Sequence, residues 1–322
     1  MEQEKARSKK SFLPVIILLL LLVLGLCLGP IGAGFFPFHL PESLRVGKPE
    51  VELPAEAIPH MGGITNTLIA SWITILLLTV LFYFATRKMR LVPGRLQAFT
   101  EVVVEGLLGF VEGVAGKPHA KLLFPGIATI FLYVITNAYM GLLPIFGTIG
   151  FLEHGHGHEA KFIPLLRGAN TDINLPLSIA IMSFILVETW GMRVVGFFHY
   201  TSEFINVKQL GQGFKQLFAG RIKEAPLTII FGFINMCVGL LEIFSHMTRM
   251  LSFTFRLFGN MTAGEILVTV SCFLIPMIFT IPFYGLELLI GLIQALIFSG
   301  LTLVFATVAI SSSHEESEQK HH

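Results

Sequence analysis

Charged side chains are scarce in this sequence. Asp, Glu, Lys and Arg make up 13% of its 322 residues, against roughly 25% in a soluble domain. That shortage excludes a soluble enzyme and a disordered tail. Cysteine is nearly absent too. Cys27, Cys237 and Cys272 all sit in apolar stretches without metal-site spacing, which excludes a secreted disulfide scaffold. The net charge is only +1, so no global basic field points to nucleic acid. What the chain does have is apolar length. Hydrophobic residues make up 53% of it, mean hydropathy is +0.75, and apolar runs of about 20 residues recur. This is the composition of an all-α, multi-span membrane protein.

The basic opening MEQEKARSKK is followed by an apolar run, 12–29, with no good small-x-small cleavage site. It reads as an uncleaved signal anchor. A polar outer loop carries the chain to residue 63, so 1–63 is one region and 64–322 the membrane domain. Further spans are expected at 64–86, 122–145 and 173–199, then over 226–276 and 281–311, giving about six crossings. Leu96, Phe99, Val103, Leu107, Phe110 and Val114 step by three and four, with Glu101, Glu105 and Glu112 opposite. Such a stripe predicts an amphipathic helix in the membrane interface.

Orientation follows from the basic residues. With the N-terminus inside, inner segments collect Lys5, Arg7, Lys9, Lys10, Arg87, Lys88, Arg90, Arg95, Lys117, Lys121, Arg193, Lys208, Lys215, Arg221 and Lys223. Outer segments hold only Arg45, Lys48, Lys161 and Arg167. The imbalance is a positive-inside signal. It places the N-terminus in the cytoplasm, and with six crossings the C-terminus as well. His154, His156 and His158 of the HGHGH run read as a solvated outer loop, with no metal assigned to them.

Charge in hydrocarbon costs about 2.5–3.5 kcal/mol per residue on insertion scales, so charges inside spans are functional candidates. Glu242, Arg249, Arg256, Glu265 and Glu287 concentrate in the last third. Glu242, Arg249 and Arg256 are spaced by seven and share a helix face, which Asn260 joins four residues on. Glu265, nine beyond Arg256, points to the opposite side. If the last two apolar segments form an antiparallel hairpin, Arg256 lies level with Gln294 and Glu265 with Glu287. The turn then falls at Ile275–Pro276. The alternative, that these charges only tie helices together, stays open. The 226–276 segment is about 76 Å long as a helix, far more than the hydrocarbon thickness of about 30 Å. It is either two spans broken near SHMTR or one steeply tilted helix.

The string RLFGNMTAGE, Arg256 to Glu265, followed by QALIFSGL from Gln294, resembles the a subunit of the F-type ATP synthase. The likeness extends to Glu242, Arg249, the TDIN run from Thr171 to Asn174, and Asn137. It implies a stator subunit of the membrane sector, with one long tilted hairpin curving against a ring of c subunits. Arg256 would face the ring carboxylates. Glu265, Glu287, Asp172, Asn174 and Asn137 would line an outer half-channel, and Glu242, His246 and Ser252 an inner one. Gln294 would orient the Arg256 guanidinium. Asn260 would either help it or bond between helices, and Arg249 would support. The family often has histidine at one of the two places held here by Glu265 and Glu287. The implied partners are the c-ring, b-type peripheral stalk subunits, other ATP synthase subunits, membrane lipid and protons, in a bacterial-type plasma membrane. No nucleic acid and no cofactor are implied.

Two other readings compete. One keeps the architecture but moves Na⁺. The other is a secondary transporter with a buried Arg/Glu gate, which usually shows internal repeats; none is visible here. No GxxxxGK[ST] phosphate loop occurs, so the chain is not expected to be an enzyme by itself and ATP chemistry belongs to partner subunits.

Overall fold

In hydrocarbon the backbone must satisfy its own N–H and C=O groups, and apolar runs this long do so as helices. The computed structural model describes residues 14, 16–25, 55–58, 63–154, 160–196, 225–275 and 277–319, with backbone alone at 152–154, 160–162, 195, 225–228, 242–243, 277 and 311–319. In chain order the helices are α1 (Ile16–Gly25), α2 (Asn66–Thr86), α3 (Arg95–Gly141), α4 (Asn174–Val195), α5 (Ala225–Leu274) and α6 (Ile281–Gln319). A two-stranded antiparallel ribbon, β1 (Gly150–His154) and β2 (Ala160–Pro164), stands between α3 and α4, with Phe151 opposite Ile163. The sequence predicts only a loop there. His156 and His158 lie outside the described residues, as do the ends of the first apolar run and the 197–224 loop.

Five of the described helices, all except α1, are long and apolar enough to cross a membrane. Of the first expected crossing, residue 14 and the ten residues of α1 are described. The 226–276 segment is one unbroken helix of 50 residues, α5, so the break near SHMTR does not occur. Its end at Leu274 and the short 3-10 turn Met277–Thr280 put the hairpin corner at the expected junction.

The interfacial helix and the next span form one element of 47 residues, α3, interrupted at Gly116 (φ 74°, ψ 158°). That left-handed φ suits glycine, and Pro118 follows in the first turn of the second segment, where a missing N–H costs least. The buried side of the first segment runs through Gln97, Thr100, Leu107, Val111 and Ala115. It is rotated from the apolar stripe, whose Leu96, Phe99 and Val114 stay exposed. Polar Gln97 is inward because it bridges backbone and helix. Its amide accepts from Arg90 N at 3.2 Å, and donates to Arg90 O at 3.1 Å and to Glu101 Oε1 at 2.8 Å.

By packing, the chain divides into two compact units. The first comprises Met1–Leu77, Val134–Asp172 and Leu257–Gln294; the second comprises Leu78–Tyr133, Ile173–Arg256 and Ala295–His322. The second is built on an apolar cluster of Val111, Leu123, Ile127, Val187, Trp190, Leu303, Ala306 and Ile310. Ser183 and Thr302 are 2.6 Å apart within it, a buried hydroxyl pair joining α4 and α6. Gly126 allows α3 and α4 to approach, since a Cβ there would stand 2.7 Å from the Trp190 ring. Gly126→Ala is therefore expected to overpack this contact and cost about 1–3 kcal/mol. A lowered midpoint in thermal unfolding of the detergent-solubilised protein checks it.

Candidate functional site

The middle of α5 presents Ser252, Arg256 and Asn260 at four-residue spacing, hence on one side of the helix. Ser252, Gly259, Asn260 and Ala263 are exposed and Arg256 half-buried. The Arg256 guanidinium meets the Ser252 hydroxyl at 3.5 Å. Among the described residues no carboxylate lies within ion-pair distance of it. Among the described residues, nothing beyond the adjoining helix backbone lies within 4 Å of where a Cβ at Gly259 would be.

The first unit holds the polar residues that follow Arg256 in the sequence of the hairpin. The Asn260 amide donates to Gln294 Oε1 at 2.9 Å. This makes Asn260 a helix–helix hydrogen bond in the chain as it stands. Glu287 is buried with its carboxylate over Gly264, where any Cβ would overlap it. Glycine at 264 is thus what admits a carboxylate between α5 and α6. Glu287 Oε2 and Gln294 Nε2 are buried without a hydrogen-bond partner among the described residues.

Glu265 does not face Glu287. Its carboxylate takes Arg167, from the segment after β2. Nε stands 3.2 Å from Oε1 and 3.4 Å from Oε2, and Nη2 stands 3.2 Å from Oε2. The Arg167 side chain is 11% exposed and that of Glu265 is 39%, so the pair reaches from the interior to an open edge. Around it, Thr67 donates to Asp172 Oδ2 at 3.1 Å, Asn137 Nδ2 to Asn170 Oδ1 at 3.3 Å, and Asn66 Nδ2 to the Pro164 carbonyl at 3.3 Å. Asn66, Thr67, Asn137, Asn170 and Asp172 are all buried, while Asn174 is exposed at the first turn of α4. Gly141 and Gly168 permit this approach, a Cβ at Gly141 falling 3.4 Å from the Gly168 Cα.

The second unit holds the other expected residues. Arg249 lies with its guanidinium 3.5 Å from the centre of the Phe305 ring, a cation–π contact. His246 Nδ1 stands 3.2 Å from Glu188 Oε1. The Glu242 side chain lies outside the described residues.

Arg167 and Glu188 are the two charged groups at these places that sequence reading leaves out. Arg167 is counted there as an outer-loop charge, yet it stands five residues before Asp172 in RGANTDIN, which is a usable signal. Glu188 is the only acidic residue in the run from Asn174 to Val195. A census of charges within every span would have found it.

The family model described as ATP synthase A chain matches residues 68–307. ATP synthase subunit a of Gloeobacter violaceus is 33% identical over 257 residues, covering 80% of this chain and 86% of the relative. ATP synthase subunit a of Solidesulfovibrio magneticus is 30% identical, also over 257 residues, covering 79% and 88%. ATP synthase subunit a 3 of Pelobacter propionicus is 31% identical over 244 residues, covering 76% and 87%. The match takes in α2 through most of α6, with every polar residue described above from Arg167 to Gln294, and the chain belongs to the ATP synthase A chain family.

Proposed function

We propose that this chain is the stator subunit that carries protons to and from the carboxylates of a rotating c-ring, coupling an ion gradient to ATP synthesis. The observation that carries the reading is Arg256, a guanidinium on the outward side of a 50-residue span with no carboxylate among the described residues to answer it. A cation so placed is not stable against lipid. Its side of α5, lined by small Gly259 and Ala263, suits a close helical neighbour bearing a negative group. A ring of carboxylate-bearing c subunits supplies that group repeatedly. The b-type peripheral stalk would hold the stator still.

The chemistry follows from charge. Arginine stays protonated, and its field favours the ionised form of a passing carboxylate. The carboxylate gives up its proton near Arg256 and must regain one before meeting lipid, where bare charge is prohibitive. Protons then need one polar route on each side of Arg256. Glu265, Glu287, Asp172, Asn174 and Asn137, with Asn260 and Gln294, form the route on the corner side. Glu242, His246 and Ser252, supported by Arg249, form the other. Leaving Glu287 Oε2 and Gln294 Nε2 buried without partners costs about 1–3 kcal/mol each, a cost that a proton route accounts for and a passive joint does not. Each proton crossing about 100 mV yields about 2.3 kcal/mol.

The chain would sit in a bacterial-type plasma membrane, with both termini in the cytoplasm, residues 1–63 as anchor and outer loop, and 64–322 as the membrane domain. By itself it catalyses no bond-making step. ATP-driven acidification of inverted vesicles containing the whole complex tests the reading. Glu265→Gln is expected to slow acidification about tenfold while the complex still assembles, and an unchanged flux-versus-pH curve would count against a proton route through Glu265.

A further inference from the structure

We infer that Glu188 and His246 form a second proton-exchanging pair, on the side of Arg256 away from the hairpin corner. The inference rests on the proton-carrying reading and assigns a role to Glu188. His246 precedes Arg256 by ten residues, about 15 Å along α5. Its Nδ1 is 3.2 Å from Glu188 Oε1, and both side chains are 15% exposed. The contact is short but is not aligned as a hydrogen bond, because Glu188 Oε1 has none among the described residues. Phe184, one turn before Glu188 on α4, meets the imidazole edge-on at 5.8 Å.

Beside the pair is a cavity lined by Ala180, Ser183, Phe184, Met250 and Phe253, among others, with room for a water molecule. Among the described residues His246 and Arg249 also line it, and Arg249 is turned onto Phe305. A joint between α4 and α5 would be built at lower cost from apolar side chains, since buried ion pairs seldom out-stabilise them. Glutamate and imidazole together can do what apolar groups cannot. A proton on the Glu188 carboxyl moves to His246 Nδ1, leaving carboxylate and imidazolium. The imidazolium releases its Nε2 proton to water and is left as the other neutral tautomer. Return of a proton to Glu188 and tautomer exchange complete the cycle, with no electrons transferred.

The test uses the intact complex in inverted vesicles, comparing Glu188→Gln, Glu188→Asp, His246→Gln and the Glu188→Gln/His246→Gln double variant. Passive proton flux after removal of the catalytic sector is followed across mildly acid to mildly alkaline pH. Each Gln variant is expected to slow flux about tenfold and to flatten its pH profile. The double variant should be no slower than either single one, since coupled groups are not additive. Glu188→Asp should restore part of the pH dependence. Unchanged flux and pH profile in the Gln variants, with only a lowered unfolding midpoint, would overturn the inference. Should Glu188→Gln fail to assemble, the Asp variant decides. A shifted profile supports the pair, and an unshifted one overturns it. Arg256→Ala is measured alongside. If it still pumps, the proton-carrying reading itself is what fails.

Discussion

Arg256→Ala is expected to abolish ATP-driven proton pumping while leaving the complex assembled. Without the guanidinium, a ring carboxylate at this position would have to ionise in hydrocarbon unaided. That costs about 2.5–3.5 kcal/mol, or roughly a hundredfold in the population of the ionised form at 1.4 kcal/mol per decade. Assembly should survive because, among the described residues, the polar contact of Arg256 within its own chain is the 3.5 Å approach to Ser252. In the proposed mechanism the fixed positive charge also separates the two proton routes. Passive leak should therefore persist or rise in the alanine variant even as coupled pumping disappears. Acidification by a pH-sensitive dye, with subunit composition checked on native gels, reads both. Coupled pumping at the parental rate would contradict the role.

Arg167→Leu is the second large effect. Arg167 contacts both oxygens of Glu265, so its removal leaves a partly buried carboxylate without its cation. For a fully buried pair that loss costs about 3–5 kcal/mol, and for an exposed one about 0–1 kcal/mol. Glu265 is 39% exposed and Arg167 11%, so water screens one end and the value falls between. The expected result is about a tenfold slower flux with a modest drop in unfolding midpoint. Adding Glu265→Gln should recover the midpoint, because no unpaired charge remains, but not the flux, because the titratable group is gone. Recovery of both together would mean that the pair only ties the β2–α4 segment to α5.

The sequence made the helical scaffold readable because membrane spans are written in composition. Apolar length and the turn expected at Ile275–Pro276 are local signals, and the corner lies between Leu274 and Ile281. The levelling of polar residues across the hairpin was readable for a related reason, since antiparallel helices give a constant index sum. It holds at Gly264 against Glu287, and it is one turn off at Asn260 against Gln294. Partner choice was not readable. Glu265 and Glu287 sit at similar heights, yet the first turns to Arg167 and the second to the space over Gly264. Those choices depend on the rotation of each helix and on a loop arginine 98 residues away in sequence. The rotated buried side of the first α3 segment has the same origin. A stripe tells which residues are apolar, but in a membrane apolar residues stay outside as readily as inside, so Leu96 and Phe99 remain exposed.

Apposition of the Arg256 side of α5 to a moving carboxylate is tested most directly by cross-linking in the whole complex. With Cys27, Cys237 and Cys272 replaced by serine, Asn260→Cys is combined with a cysteine placed next to the carboxylate on the c subunit, and a disulfide is formed with mild oxidant. The expected product is an a–c cross-link that stops ATP-driven pumping and is relieved by reductant. A complex that pumps normally after oxidation, with no a–c product, would show that this side of the helix does not face the ring.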